Sequence, residues 1–156
     1  MRPPFVVKRA SLVDHVKENI LLSERQVMKE WFKIFQEDLW IRGKSDIISV
    51  EEAKFIRKAL HLRKRQRVLD APCGHARISV QLARAGIKVT GVDITKAFIT
   101  KARKLFRKKR LKGEFIHNDL RNIDFNGEFD AVFNWFGSFG YFSDKENADA
   151  QVATAI

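Results

Sequence analysis

The sequence has only one cysteine, Cys73, and three prolines among its 156 residues. One thiol excludes an intramolecular disulfide, and the four scattered histidines give no structural zinc spacing with it. A reducing, cytoplasmic setting is therefore expected. Long apolar runs are also missing near the amino terminus, where MRPPFVVKRA holds a run of only three such residues. We therefore predict neither a secretory signal nor a membrane span, and we expect a soluble protein.

Negative charge is scarce, since 19 Asp and Glu face 30 Lys and Arg and leave a formal net charge of +11. This excess favours anionic partners such as nucleic acid, nucleotides or phosphorylated metabolites, without identifying one. The length and the 45% hydrophobic composition are sufficient for one compact core.

The first 62 residues carry helical patterns. A capping box at Ser23 precedes apolar residues at helical spacing, which predicts a helix over about 24–40. A second capping box, Ser49 with Glu52, predicts another helix. We assign residues 1–62 to a helical cap or lid, in which Trp31, Phe35 and Trp40 are candidate lid side chains.

From residue 63 onward, short apolar strands alternate with helices. The predicted elements are strand 68–71, helix 76–86, strand 88–94, helix 96–110, strands 113–119 and 129–136, and a helix from Ser143. For helix 96–110 we predict Thr95 as the N-cap and an inner stripe of Phe98, Ala102 and Leu105. The alternation predicts an α/β fold, a Rossmann-like doubly wound parallel sheet with helices on its faces.

The predicted sheet has four strands, and no strand follows the last helix. Such a sheet would leave its last strand as an edge that one helix must cover. We therefore expect residues 63–156 to form the amino-terminal half of the domain. Either the chain is a fragment, or self-association or a partner chain completes the sheet.

The carboxyl ends of the strands are the expected ligand site, because ligands of open α/β sheets bind there. Asp70 closes the first strand, and Asp93 follows it by 23 residues, near the offset of about 20 at which an acidic residue binds ribose hydroxyls. Asp119 and Asn134 end the third and fourth strands.

The turn PCGHA after the first strand allows two interpretations. Cys73 and His75 could form a thiol or metal site, or the turn could hold a ligand against the following helix, whose amino end favours an anion. A nucleophilic thiol needs a base, and no second motif supplies one. The ligand-holding turn is therefore preferred, and His75 either contacts the ligand or caps the turn.

The stretches VLDAPCGHARIS, VTGVDI, HNDLRNIDF and FDAVFNWFGSFGYF, in this order, resemble class I S-adenosylmethionine-dependent methyltransferases. The resemblance extends from about Trp31 to the end of the chain. It implies that the first turn holds the amino-acid part of the cofactor, and that Asp93 and Asp119 face its ribose and adenine. It places Asn134 beside the methyl group. The implied cofactor-binding residues are Asp70, Ala71, Cys73, Gly74, His75, Asp93, Ile94, Asp119, Leu120 and Asn134.

The turn departs from the family pattern of three alternating glycines, because it reads Pro72, Gly74 and Ala76. We expect the extra methyl group of Ala76 to weaken cofactor binding. An alternative function is therefore a truncated or degenerate, non-catalytic module that binds cofactor, RNA or a partner protein. A dinucleotide-binding dehydrogenase would require G-x-G-x-x-G, which Pro72 and Arg77 do not provide.

The methyl acceptor is expected to be a small molecule or an anionic group, with RNA as one candidate. Asn134, Trp135 and Phe136 match neither the signature of base-amine methyltransferases nor that of C5-cytosine methyltransferases. A sulfonium is already a good leaving group, so positioning and desolvation can supply much of the acceleration. For this reason we name no catalytic base and no metal. The basic helix around Lys104 is interpreted as a solvated face.

Overall fold

A computed structural model describes residues 46–135 and Lys145. The elements, in chain order, are α1 (Asp46–Ala59), β1 (Arg67–Asp70), α2 (Arg77–Arg84), β2 (Lys88–Asp93), α3 (Lys96–Lys108), β3 (Glu114–His117), a 3-10 turn (Leu120–Asn122) and β4 (Ala131–Phe133). Each predicted strand in this range is present within a few residues of its predicted bounds. The predicted helix 24–40 with its lid aromatics lies outside the described residues, as does the predicted helix from Ser143 apart from Lys145, which is helical.

The four strands form one parallel sheet in the order β3-β2-β1-β4. At its centre Asp70 of β1 pairs with Gly91 of β2 on one side and with Phe133 of β4 on the other. The strand order therefore reverses beside β1, which confirms the Rossmann-like α/β prediction. In such sheets a crevice opens at this reversal, outside the carboxyl ends of the strands.

The three helices cover one face of the sheet through two apolar clusters. The first joins α1 and α2 to the sheet and comprises Ala53, Ile56, Leu62, Val68, Ile78, Leu82, Ile87, Val89 and Phe133. The second joins α2 and α3 to β3 and comprises Cys73, Ala76, Val80, Ile99, Ala102, Phe106 and Phe115. The opposite face buries Leu69 and Val92 beneath Ile123. Both faces are thus covered, which explains why every residue of β1 and β2 after the first is buried.

The prediction that Ser49 and Glu52 form a capping box was wrong. α1 begins at Asp46, so Ser49 lies inside the helix and is buried. Its hydroxyl accepts a hydrogen bond from Arg77 Nη1 at 3.3 Å, and Glu52 forms an ion pair with Arg77. The two side chains therefore hold α1 against the start of α2 rather than capping α1. The predicted division of the chain at residue 62 stays a prediction.

The inner face of α3 is rotated by one residue from its prediction. Ile99, Ala102 and Phe106 are buried, whereas Phe98 and Leu105 are only half-buried. The ring of Phe106 packs edge-on against Phe115 of β3, with centroids 4.6 Å apart, and this contact sets the rotation. None of the helices within the described residues is long and apolar enough to cross a membrane.

Candidate functional site

The carboxyl edge of the sheet is held together by the side chain of Asp93. Its Oδ2 accepts the Gly74 N–H at 2.8 Å, and its Oδ1 accepts the Thr95 N–H at 2.8 Å. One carboxylate thus joins the loop after β1 to the turn before α3. The Cys73 N–H also donates to the Val92 carbonyl at 2.8 Å. Two successive N–H groups of the loop, those of Cys73 and Gly74, are therefore bound to β2.

Thr95 occupies the N-cap position of α3, as predicted, but its side chain makes no capping hydrogen bond. The N–H of Thr95 itself is bound by the carboxylate of Asp93, which fixes the start of the helix. Asp93 is 5% exposed, and burial raises its pKa, while the hydrogen bonds from the Thr95 and Gly74 amides oppose the rise. The Thr95 side chain also hydrogen-bonds this carboxylate, so three contacts share its four lone pairs.

Asp70 lies at the end of β1 and is 3% exposed. Ser79 of α2 donates its hydroxyl hydrogen to Asp70 Oδ2 at 2.6 Å. Burial raises the pKa of Asp70 to about 7; the Asp93 carboxylate adds to the rise, whereas Ser79 and Arg77 oppose it. The site therefore holds two neighbouring carboxyl groups whose pKa values are both raised.

Cys73 is a packing residue. It is 7% exposed, and burial raises the pKa of its thiol well above the usual value, with the carboxylates of Asp70 and Asp93 adding to the rise. A thiol held in its protonated form is a poor nucleophile. Within residues 46–135, no group of three or more His, Cys, Asp or Glu side chains is placed to hold a metal ion. The geometry therefore favours the ligand-holding interpretation of the turn.

Gly91 of β2 makes room for the Cys73 side chain. A Cβ atom at Gly91 would lie 2.8 Å from Cys73 Sγ and 2.8 Å from Phe115 Cδ1, closer than such atoms can approach. A glycine inside a strand often marks a close approach of this kind. The side chain of Cys73 thus occupies the space that a side chain at Gly91 would need.

We expect Gly91→Ala to lower the free energy of unfolding by about 2 kcal/mol, because the new methyl group overpacks the core. Urea denaturation followed by circular dichroism measures the change. Gly127→Ala is the matched control, since nothing lies within 4 Å of a Cβ there and only its φ of +63° carries a cost. Adding Cys73→Ala to Gly91→Ala should recover part of the loss; equal stability of Gly91→Ala and the wild type would contradict the packing interpretation.

The open side of the loop is at Gly74. Its φ is +54°, and nothing lies within 4 Å of the position that a Cβ would take. α2 begins three residues later, and its N-cap residue Ala76 supplies no side-chain cap. A helix start without a side-chain cap leaves backbone N–H groups without a side-chain acceptor, which suits an anionic group.

Ala76 faces away from this space. It has a left-handed φ of +66° and is 0% exposed, with its methyl group in the cluster that joins α2, α3 and β3. The methyl group therefore presents no surface to a ligand in the loop.

His75 is half-buried, with its ring edge-on to Phe98 at 6.4 Å between centroids. Burial lowers the pKa of His75, and the positive charges of Arg77 and Lys101 lower it further. The imidazole is therefore neutral at pH 7. A neutral ring offers one hydrogen-bond donor and one acceptor at the mouth of the loop.

The end of β3 adjoins the same edge. The Asn118 N–H donates to the Asp93 carbonyl at 3.2 Å, and His117 Nε2 donates to the Ile94 carbonyl at 2.9 Å. Asp119 caps the 3-10 turn by accepting the Arg121 N–H, and its carboxylate also pairs with the Arg121 guanidinium at 2.6 Å. Partial burial raises the pKa of Asp119, but the hydrogen bonds from Arg121 outweigh it and hold the pKa below its usual value.

The remaining predicted residues adjoin the edge without such contacts. Ala71 is buried and extends the β1–β4 ladder by donating to the Phe133 carbonyl at 3.1 Å. Leu120 packs against the apolar cluster on the opposite face of the sheet, and Asn134 follows β4 half-buried. The structure thus joins the loop to Asp93 by a direct hydrogen bond, holds Asp70 through Ser79 and Ile94 through His117, and places Asp119, Leu120 and Asn134 at the neighbouring strand ends.

Sequence reasoning missed several contributors to the site. Ser79 and Glu52 were not assigned to it, although they hold Asp70 and Arg77. Neither residue stands out locally, because its partner lies on another element. Gly91 could have been found, since a glycine inside an apolar strand is itself a signal.

Comparison with known proteins agrees with this geometry. The family model for the methyltransferase domain matches residues 68–155, more than half of the chain. A Bacillus subtilis protein named as a methyltransferase, YqeM, is 33% identical over 91 residues, which cover 55% of this chain and 35% of that protein. The chain therefore spans about a third of the length of the curated relatives it matches.

Two solved structures share the fold. A Pyrococcus horikoshii protein is 30% identical with a TM-score of 0.59, over 69% of this chain and 51% of that one. The magnesium protoporphyrin IX methyltransferase of Synechocystis, solved with bound S-adenosylmethionine, has a TM-score of 0.65 over 88% of this chain and 73% of its own, at 20% identity. At that identity the likeness concerns the fold alone. With residues 68–155 matched by the family model and the strand order 3-2-1-4, the chain belongs to the methyltransferase domain family and has the class I, Rossmann-like fold of its S-adenosylmethionine-dependent members.

Proposed function

We propose that this chain binds S-adenosylmethionine along the carboxyl edge of its sheet and takes part in methyl transfer from it. The contact of Asp93 with the Gly74 amide carries this proposal. It fixes a loop that is open at Gly74 beside the carboxylate of Asp93, at the reversal point of the strand order.

The residues present fit the cofactor. A carboxylate has four lone pairs, so Asp93 can accept a ribose hydroxyl besides its contacts with Gly74 and Thr95, with Ile94 next to it. The Gly74 loop and the uncapped start of α2 suit the carboxylate of the amino-acid part, and Asp70 suits its ammonium group. Asp119 fits adenine less directly, because an adenine amine would compete with Arg121 for its carboxylate.

When bound, S-adenosylmethionine supplies a methyl group on a positively charged sulfur that leaves readily. The chain's own contribution is to bind, orient and exclude water. Asp93 and the loop hold the ribose and the amino-acid part of the cofactor, and Asn134, at the end of β4, is the candidate neighbour of the transferred methyl group. None of these roles requires a catalytic base, and we assign none.

We propose a cytoplasmic setting and a small-molecule or anionic methyl acceptor. The formal charge of +11 supports an anionic group, and RNA remains one candidate. Self-association or a partner chain that completes the sheet also stays a proposal.

Calorimetric titration of the 156-residue chain with S-adenosylmethionine tests the cofactor proposal. We expect one site per chain, and competition by S-adenosylhomocysteine. A folded sample that gives no heat at millimolar ligand would contradict the proposal. Transfer of a radiolabelled methyl group to candidate acceptors then separates the enzyme from the alternative of a module that binds without transferring.

Ala76→Gly should leave the affinity for S-adenosylmethionine within about twofold of the wild type, because the methyl group is packed in the core, away from the loop. The stability should also change little. Relief of the left-handed φ gains about 1 kcal/mol, and loss of a buried methyl group costs a similar amount. A tenfold gain in affinity would instead show that Ala76 obstructs the cofactor.

A further inference from the structure

The amino edge of the sheet, opposite the candidate cofactor site, carries a dense positive stripe. We propose that this edge binds the phosphate backbone of a single-stranded nucleic acid. α1, α2 and α3 all end at this edge, because each is followed directly by the strand that starts there. The basic residues of the three connections therefore come together along one side of the molecule.

The carboxyl half of α1, the connection after it and the first residue of β1 have seven exposed basic side chains, with no acidic residue between Ala53 and Leu69. They are Lys54, Arg57, Lys58, Arg63, Lys64, Arg65 and Arg67. The end of α3 and the connection to β3 add six more, with no acidic residue from Lys104 to Gly113. They are Lys104, Arg107, Lys108, Lys109, Arg110 and Lys112. Arg84 at the end of α2 and Lys88 at the start of β2 are exposed between these two groups.

Few of these charges are neutralised within the described residues. Lys54 pairs with Glu51 at 2.8 Å, and Arg67 pairs with Glu128 at 3.0 Å. The other basic side chains of the stripe form no ion pair with the described part of the chain. Their charge is therefore available to an anionic partner.

The stripe includes a groove at the end of α1. It has a volume of about 440 Å³ and is lined by Lys54, Arg57, Lys58, His61, Leu62 and Arg63. Leu62 forms its buried floor. A concave surface lined by cations fits a phosphate group better than a convex one, because several cations approach the same anion.

Backbone strain at this edge supports a binding role. Among the described residues, four non-glycine residues have positive φ, and three of them lie here: His61 at +51°, Arg65 at +73° and Arg110 at +53°. All three are basic. Such conformations carry a cost that glycine avoids, and they concentrate at functional sites.

The helix ends provide an internal comparison. α2 is followed by Gly86 at φ +84°, the residue type that suits a left-handed position after a helix. At the corresponding positions after α1 and α3, the chain has His61 and Arg110 instead. Cations at a helix end also offset its dipole, but this effect is confined to the last turn. Residues 63–67 and 109–112 lie beyond it.

The extent of the stripe favours a polymer over a small phosphate. The basic residues span three neighbouring connections, and adjacent strands are about 5 Å apart with helices packed about 10 Å from the sheet. A single phosphate would occupy only one part of such a surface, whereas a nucleic acid backbone presents a charge at every nucleotide.

The test is the binding of a fluorescent single-stranded RNA of about 20 nucleotides, followed by anisotropy at about 50 mM and about 200 mM salt. The variant is Arg65→Gly with Arg110→Gly. We expect RNA affinity to fall at least tenfold, with a shallower salt dependence, while the melting temperature rises by a few degrees because the strain is relieved. A purely structural role for these arginines would not move stability and binding in opposite directions.

Two control variants isolate position from total charge. Lys96→Gln with Lys101→Gln also removes two positive charges, but from the amino half of α3. We expect RNA affinity to fall less than about threefold. Arg65→Lys with Arg110→Lys keeps the charges and should keep the affinity within about threefold. The affinity of the Arg65→Gly, Arg110→Gly variant for S-adenosylmethionine should stay unchanged, which separates this proposal from the cofactor proposal.

Three outcomes would overturn the proposal: no RNA binding at low salt, equal losses in the two variants that remove charge, or displacement of RNA by inorganic phosphate at equal phosphate concentration. The last result would assign the groove to a small phosphate ligand.

Discussion

Asp93→Ala is expected to weaken the binding of S-adenosylmethionine by at least about 100-fold, or nearly 3 kcal/mol. Two effects add. The ribose hydroxyls lose a charged acceptor, and the Gly74 amide and the Thr95 amide lose the group that holds them in place. Calorimetry measures the affinity, and circular dichroism on the same samples shows that the variant is folded.

Asp124→Ala is the matched control for this variant. Asp124 is an exposed carboxylate in the connection between β3 and β4, so its removal should leave the affinity unchanged. Asp93→Asn keeps the shape of the side chain but presents an NH₂ group to one of the two amides, and we expect an intermediate loss. Binding of Asp93→Ala within about threefold of the wild type would remove Asp93 from the site.

Asp70→Asn is expected to stabilise the chain at pH 8 by up to about 4 kcal/mol. Burial raises the pKa of Asp70 from 3.8 to about 7. Between these pH values the folded chain holds a proton that the unfolded chain has released. The stability contributed by this group is therefore complete below about pH 4 and is lost as the pH rises to about 7. Asparagine does not titrate in this range, so the stability of the variant does not fall as the pH rises.

Urea denaturation across the pH range measures this effect. The advantage of Asp70→Asn should be near zero at about pH 4, grow up to about pH 7 and stay constant above it. Asp124→Asn, at an exposed position, should show no such growth. A constant difference between Asp70→Asn and the wild type at all pH values would contradict the raised pKa.

We also expect the stabilised variant to bind S-adenosylmethionine about tenfold more weakly, because a buried carboxylate that costs stability is retained for a ligand.

Most of the sheet could be predicted from the sequence because its signals are local. The apolar run before Asp70, Gly86 after α2 and the strand ending at Asp93 each identify an element without its neighbours. In a parallel sheet these elements also fix the edge at which the carboxylates meet. The position of the candidate site therefore followed from the strand ends.

The rest depended on contacts between distant segments. Ser49 and Glu52 match a capping box locally, but both side chains instead contact the Arg77 side chain of α2. The stripe of α3 shifted by one residue because Phe106 packs on Phe115. Ala76 was expected to obstruct the loop, yet its left-handed backbone turns the methyl group into the core. In each case a tertiary contact overrode a local pattern.

The crystal structure of the chain with S-adenosylhomocysteine is the most direct measurement of the central claim. We expect the ribose hydroxyl oxygens within about 3 Å of the Asp93 carboxylate and the amino-acid part beside Gly74. A ligand bound elsewhere, with Asp93 still holding only the amides of Gly74 and Thr95, would contradict the account.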